Sequence, residues 1–378
     1  MDQESDLPGT DRGSLRLFLC GDVMCGRGID QVLGRPCSPE LYEEYVRSAQ
    51  DYVLLAERAN GPVPRSSGPS YIWGAALDAF ERMRPDARIV NLETAVTCSN
   101  EHANKGINYR VSPENAQCLT AAGIDCCVLA NNHVLDWGRS GLNETLAILH
   151  KLKIKATGAG RNTRSARTPA VIDLEGARIL IFSFGSTSSG IPRDWAATDN
   201  EPGVNLLPDL SEASALMAAD QIAAIRKPCD LPIASIHWGS NWGYHIPDEQ
   251  SIFARTLIDK AGVSIVHGHS SHHPRPIEIY RGRLILYGCG DFLNDYEGIR
   301  GYQRYRGDLA LMYFVDLDPA SGILRALTLV PLQIRKFRLT IPSREDIAWI
   351  QGALDRECQR FGTKVRLDSE GRLLVAAM

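Results

Sequence analysis

Residues 231–239 read Leu-Pro-Ile-Ala-Ser-Ile-His-Trp-Gly, an apolar run that stops at His237 and turns at Gly239. A short apolar run bounded by glycine is the pattern of a strand buried on both faces. Helix-like stretches at 210–226 and 248–260 flank it, so the strand belongs to a sheet covered by helices. The same grammar repeats outward. Downstream, a strand over 263–267 ends in Gly268-His269, with His272 three residues on. Upstream, 125–130 (DCCVLA) ends in Asn131-Asn132-His133, 87–93 (ARIVNLE) ends in Glu93, and 15–20 (LRLFLC) ends in Gly21-Asp22. Helical stretches over 40–59, 74–83, 113–121 and 139–152 fall between them. Hairpins are expected over 170–184, turning at Glu175-Gly176, and over 275–287, turning at Arg281-Gly282. Further strands at 309–316 and 323–331, a helix at 345–358 and a short closing strand complete the chain. Alternating strands and helices followed by hairpins predict two stacked sheets flanked by helices.

The 378 residues allow a sizeable core, and 44% of them are hydrophobic. A net charge of −4, from 41 basic and 45 acidic residues spread along the chain, gives no basic stripe. Nucleic acid is therefore not an expected partner. No apolar run approaches the ~20 residues that cross a bilayer, and the polar start MDQESDLPGTDRGS lacks the pattern of an export signal. The ten cysteines show no CxxC spacing, so a thiolate zinc site is not expected. A cytoplasmic address with reduced thiols and no membrane partner follows as the expectation. The predicted organisation is a flexible segment over 1–14, one domain over 15–335, and a C-terminal helix and strand over 336–378 packing on it. Loops at 60–73 and 185–208, rich in Gly, Pro, Ser and Trp, are candidate substrate walls, the second long enough for a lid.

One polar residue after a strand is ordinary turn chemistry. Five strand ends bearing carboxylate, amide or imidazole are not, because in open α/β sheets such ends converge outside the carboxyl edge. Carboxylate and amide oxygens are hard ligands and imidazole is borderline, so the set suits a divalent cation. One or two ions, Ca²⁺, Mn²⁺ or Zn²⁺ without distinction, would activate a water or polarise a carbonyl or phosphoryl oxygen. Glu93 is the candidate bridge. Asp136 either orients His133 or caps the following helix. His245, in the aromatic loop Trp242-Gly-Tyr-His-Ile-Pro247, is a candidate acid or base, and Asp291 and Asn294 could reach the site mouth.

The motifs Leu19-Cys-Gly-Asp22-Val-Met24, Asn91-Leu-Glu93, Asn131-Asn-His133, His237-Trp-Gly239, Gly268-His-Ser-Ser-His272 and 284–292 (LILYGCGDF) resemble those of the CapA, or poly-γ-glutamate capsule synthesis, family. That family is related to calcineurin-like metallophosphoesterases, and the resemblance covers about 15–295. It implies a metallophosphoesterase-like αββα sandwich, with Asp22 and His272 on one metal, Asn132, His237 and His269 on the other, and Glu93 between. His133 matches the position of the general acid of the phosphoesterases. Two departures matter. Met24 stands where an imidazole ligand is usual, and Glu93 replaces a bridging Asp. The family also has a soluble branch that includes a lasso-peptide epimerase, which this chain resembles more than the anchored capsule proteins. The expectation is thus an isomerase that inverts an α-carbon of a ribosomally made, lasso-type precursor peptide, with His133, His237, Asp136 and His245 as candidate proton carriers. Metal-dependent phosphoester hydrolysis is the alternative, and a non-catalytic peptide-binding or poly-γ-glutamate accessory role is a third.

Overall fold

The run 15–20 forms the first part of the strand Leu15–Val23 in the computed structural model, which describes residues 13–378. Most of the expected N-terminal segment (1–12) lies outside the described residues. Side chains alternate along the strand: Leu15, Leu17 and Leu19 enter one apolar layer, Phe18 and Cys20 another. Period-two alternation with both faces apolar is what a strand between two layers requires. Leu15–Val23 pairs in parallel with Ala87–Leu92, which continues to Cys126–Val128 and Lys155–Thr157. On its other side lie the antiparallel strands Leu309–Leu317 and Leu324–Ile334, then Leu373–Ala377 and Thr363–Leu367.

A second sheet runs Ile277–Tyr280, Arg283–Leu286, Ile265–His269, Asp230–His237, Ala177–Gly185, Ala170–Leu174, with its four central strands parallel. Leu17, Ile89, Val128, Ile181, Ile233 and Ile265 form the dry layer between the sheets. Outside the first sheet, Phe18 and Val90 meet Phe80 and Leu142 of the helices Ala75–Met83 and Gly138–Lys151. Outside the second, Phe182 and Ala234 meet Ala215 and Phe253 of the helices Glu212–Ala223 and Asp248–Ala261. The architecture is the expected αββα sandwich.

Several local expectations are revised. The helix sought over 40–59 begins only at Ala49, because the Ser48 hydroxyl accepts from the Gln50 N–H and caps it there. Residues 40–48 instead carry Glu43 to the buried Arg27. The loop at 185–208 is stitched down: Gly203–Val204 pairs with Ala159–Gly160, and the Asn205 amide donates to Ser183 O at 2.9 Å. It is a fixed wall rather than a lid. Loop 60–73 buries Trp73 among the helices, with its indole N–H on Cys118 O, and does not border the strand-end constellation. The closing strand is a hairpin of two, and the helix Arg344–Cys358 covers the inter-sheet layer through Ile350 and Leu354.

One close approach positions the site. A Cβ on Gly21 would lie 1.6 Å from Gly290 O, while the Asp22 N–H donates to that oxygen at 2.9 Å. The first strand thereby changes edge partner, and Asp291 of Asp291–Leu293 lands beside Asp22 as its Cα partner. Gly21→Ala should destabilise by about 3 kcal/mol or more through overpacking, read by urea denaturation. A loss under ~0.5 kcal/mol, the range of a neutral surface change, would refute this approach.

Candidate functional site

The carboxyl ends of the two parallel sets meet at one edge of the sandwich. Asp22, Glu93, Asn132 and His133 come from the first sheet, and His237, His269 and His272 from the second. Asp22, Glu93, His237 and His269 are shut away from solvent, while Asn132, His133 and His272 line the approach. One ligand atom each from Asp22, His237 and His269 lies within 4.8 Å of the others. His237 Nδ1 faces His269 Nδ1 at 2.8 Å, and Glu93 Oε1 stands 3.8 Å from His237 Nε2.

Hydrogen bonds aim these rings. His237 Nε2 is 2.9 Å from Asn132 Oδ1, which only accepts, so Nε2 carries the proton and Nδ1 keeps its lone pair. His269 Nε2 meets Ser235 Oγ at 2.8 Å, the same hydroxyl lies 3.0 Å from His267 Nδ1, and His267 Nε2 bonds Cys20 O across the sheets at 2.7 Å. Burial, then the neighbouring imidazoles, holds His237 and His269 well below the ordinary histidine pKa. They are neutral rings, each with an outer partner fixing it, the arrangement a metal-binding imidazole would need. Asn132, expected among the metal ligands, lies at the His237 end of the cluster. Ser270, at φ 101°, is held in a strained conformation that turns its N–H onto Asp22 Oδ2 at 3.1 Å.

The carboxylates supply the charge. Burial and then Asp291 push Asp22 up to about 7, and burial and then Asp22 push Glu93 well above the usual carboxylate range. Asn91 bridges the pair, at 2.7 Å from Asp22 Oδ1 and 3.3 Å from Glu93 Oε2. Buried carboxylates crowded against two neutral imidazoles are a donor set that fits a divalent cation. Asp22, His237 and His269 would hold it, with Glu93 in reach. Met24 is turned away, its sulfur accepting from Tyr296 OH at 3.6 Å. The acidic neighbour beside Asp22 is Asp291.

Two histidine–aspartate dyads flank this cluster. His133 Nδ1 is 2.6 Å from Asp136 Oδ2, an oxygen that also accepts from the Tyr109 N–H. Lys105 Nζ pairs with Asp136 Oδ1 at 2.7 Å. Asp136 thus orients His133, which the sequence left open. His133 Nε2 then points into the site, 3.8 Å from Glu93 Oε1. Burial lowers His133 to about 4, against the pull of Asp136. The second dyad joins His272 to Asp291, expected with Asn294 only to reach the site mouth. His272 Nδ1 lies 2.9 Å from Asp291 Oδ1, whose other oxygen accepts from Asn294 at 2.8 Å. Burial opposes charge on His272, but Asp291 outweighs it and the pKa is raised. His272 is held by a carboxylate and stands outside the Asp22–His237–His269 group. Tyr109 and Tyr296 link the dyads: their hydroxyls lie 3.1 Å apart, and their rings meet His133 and His272 edge-on at 4.7 and 5.3 Å.

His245 is a correction. It is exposed and shares no hydrogen bond or ring contact with the site among the described residues. Its loop contributes Trp242 instead, 5.3 Å from the His272 ring. His267 and His273 are packed supports, His273 lying between Trp242 and Tyr305. Cys25 is buried against Cys118, which raises its pKa along with burial, so it is an inert thiol.

A family model for the bacterial capsule synthesis protein PGA_cap matches residues 16–296, spanning the Asp22–His237–His269 group, Glu93 and both dyads. The chain belongs to that family. A probable polyglutamine synthesis accessory protein of Mycobacterium tuberculosis is 45% identical over 352 residues, 92% of each chain. The PGA biosynthesis protein CapA of Bacillus subtilis is 27% identical, covering 78% of this chain and 66% of its own length. Among solved structures, a novel phosphatase of Mycoplasma pneumoniae aligns over 87% of this chain and 95% of its own, at 14% identity and a TM-score of 0.47. Among the described residues of this PGA_cap member, no helix is long and apolar enough to cross a membrane.

Proposed function

We propose that the chain is an isomerase that inverts an α-carbon of a peptide chain by removing its α-proton and returning one to the opposite face. The observation that carries this reading is the pair of oppositely poised dyads around one buried cluster. Groups whose surroundings drive their pKa values apart divide into base and acid. His133, held low with Asp136 behind it, presents a free Nε2 lone pair and is the base. His272, raised by Asp291, is the acid. The α-proton passes to His133 Nε2, the electron pair moves onto the carbonyl oxygen, and His272 returns a proton from the other side. A cation at Asp22, His237 and His269 would supply stabilisation of that oxygen's charge. The low pKa of His133 also makes it a poor general acid near neutrality, which weakens its expected role in phosphoester cleavage.

The names of the relatives, polyglutamine synthesis and PGA biosynthesis, support an amide-linked chain as substrate. A ribosomally made precursor of the lasso type is one such chain. Metal-dependent phosphoester hydrolysis stays as the second reading, since the same donors would polarise a phosphoryl oxygen.

The test is mass spectrometry of peptides incubated with the protein and Mn²⁺ in D₂O, beside a chromogenic phosphodiester. One deuterium gained at an α-carbon per inversion is expected. Absence of exchange together with Mn²⁺-dependent phosphodiester cleavage would sink the isomerase reading in favour of hydrolysis.

A further inference from the structure

Of the ten cysteines, only Cys98 and Cys229 are exposed. The Cys98 sulfur lies 3.7 Å from that of Cys37, a thiol that is itself 8% exposed and faces Thr97 O at 3.3 Å. The neighbouring thiols Cys25 and Cys118, by contrast, are both buried and closed to any reagent. Cys37 and Cys98 belong to separate surface segments, 36–48 and 97–108. An S–S bond is about 2.05 Å long, so closure needs a shift within one rotamer change of the exposed side chain.

Other contacts hold the two segments in that register. The Arg110 guanidinium donates to Ser38 O at 3.1 Å and to Ser99 O at 2.8 Å, the residues that follow each cysteine. Tyr42 stacks on His102 at 3.7 Å and 6°. The Cys37 side is the firmer one: its N–H donates to Asp30 at 2.7 Å, and its carbonyl accepts from Gln31 at 3.1 Å. The Cys98 side leads to the site. Farther along it, Lys105 pairs with Asp136 at 2.7 Å and donates to Asn132 O. Ile107 then lines a cavity of about 690 Å³ that His272 also borders. Residues 97–108 contain no helix or strand, so scattered contacts alone fix this wall.

We propose that Cys37 and Cys98 are a thiol–disulfide switch closed by an oxidised low-molecular-weight thiol, R–S–S–R, which locks the segment carrying Lys105 and Ile107 against residues 36–48. The exposed Cys98 sulfur attacks one sulfur of the reagent, whose S–S bond breaks as the first R–S⁻ leaves with the electron pair. Cys37 then attacks Cys98 Sγ, and the second R–S⁻ leaves. Both thiol protons end on the two released R–SH molecules, so two protein sulfurs are oxidised and one reagent disulfide is reduced. Burial, then Asp30, raises the Cys37 pKa, which keeps this thiol from meeting the reagent first. Its place beside Cys98 makes the second step intramolecular. The same exposed sulfur admits a reducing thiol, so the bond is a reversible sensor rather than a permanent staple. It forms whichever reaction the site performs.

The test is treatment of the full chain with oxidised glutathione, alkylation of the remaining thiols and mass spectrometry of the unreduced peptides. A Cys37–Cys98 cross-link should form without retained glutathione, and dithiothreitol should reverse it. Cys37→Ser should stop at a glutathione adduct on Cys98, whereas Cys98→Ser should leave Cys37 unmodified. Cys229→Ser should cross-link as the wild type does. Limited trypsin digestion of the native protein reads the lock. Cleavage after Lys105 should slow roughly tenfold on oxidation, as local opening is suppressed, and should recover on reduction. The wild-type readouts stand even if a variant fails to fold. Wild type that keeps glutathione on Cys98 without cross-linking, or that cross-links Cys98 to any other cysteine, would overturn the pairing. A cross-link that leaves cleavage after Lys105 as fast as in the reduced protein would overturn the lock.

Discussion

Alanine in place of His133 should cut deuterium uptake by roughly 10²–10⁴-fold, the range a positioned general base contributes. One ring nitrogen is fixed and the other free to act, since Nδ1 is anchored to Asp136 at 2.6 Å and Nε2 faces the cluster. Asp136→Asn should fall between wild type and His133→Ala, because it loses the anchor but keeps the ring. A base acts only when neutral, so the wild-type rate should collapse as pH drops through about 4, the value burial gives His133. Asp136 raises that value, so the limb should move to lower pH in Asp136→Asn. A merely structural histidine would leave the limb where it was. Initial rates between pH 3.5 and 8, checked against folding by circular dichroism, decide the matter; an unmoved limb rejects His133 as the base.

The contribution of Asp22 to the stability of the metal-free protein should fall as pH rises, opposite in sign to the gain from the buried neutral histidines. Asp22 in the unfolded chain loses its proton near 3.8, the ordinary aspartate value, whereas in the fold burial and Asp291 hold it to about 7. Between those values the folded state binds the extra proton. The stabilisation is therefore complete below about pH 4 and is lost as pH climbs through about 7, on the order of 4 kcal/mol in all. A divalent cation reverses the trend, since it replaces the proton among the carboxylates. At a hundredfold excess over its Kd it should add about 2.7 kcal/mol, and more at pH 8 than at pH 5. Urea midpoints in chelator and in Mn²⁺ at the two pH values measure both effects. A wild-type midpoint in chelator that did not fall relative to that of Asp22→Asn from pH 5 to pH 8 would contradict the crowding of Asp22, Glu93 and Asp291.

Much of this architecture is legible in the chain itself. Apolar runs ending in Asp22, Glu93, His133, His237 and His269 announce both the strands and their shared edge, because strand polarity alone carries those residues to one place. What the chain conceals depends on contacts between distant segments. Asp291 joins Asp22 only through the approach of Gly21 to Gly290, which no local pattern records. His272 has ligand spacing in the sequence, but its ring follows Asp291. His245 misleads for a related reason. A histidine among aromatics reads as a pocket wall, and the backbone turns near Gly243, at φ 108°, leave Trp242 facing the site while His245 faces solvent. The helix over 40–59 fails locally, since its composition is helical throughout and one serine cap sets the start.

The bond from His267 to Cys20 O crosses an interface whose interior is largely aliphatic. Two such plates can slide with little penalty, for aliphatic contact has no preferred register. A site assembled half from each plate cannot tolerate a slide of even an ångström. The chain Cys20 O, His267, Ser235, His269 works as an indexing pin: it starts in one plate and ends on a donor of the other. Alignment of the two halves is thus written into the same histidine ladder that carries a candidate metal donor, so whatever loosens one loosens the other.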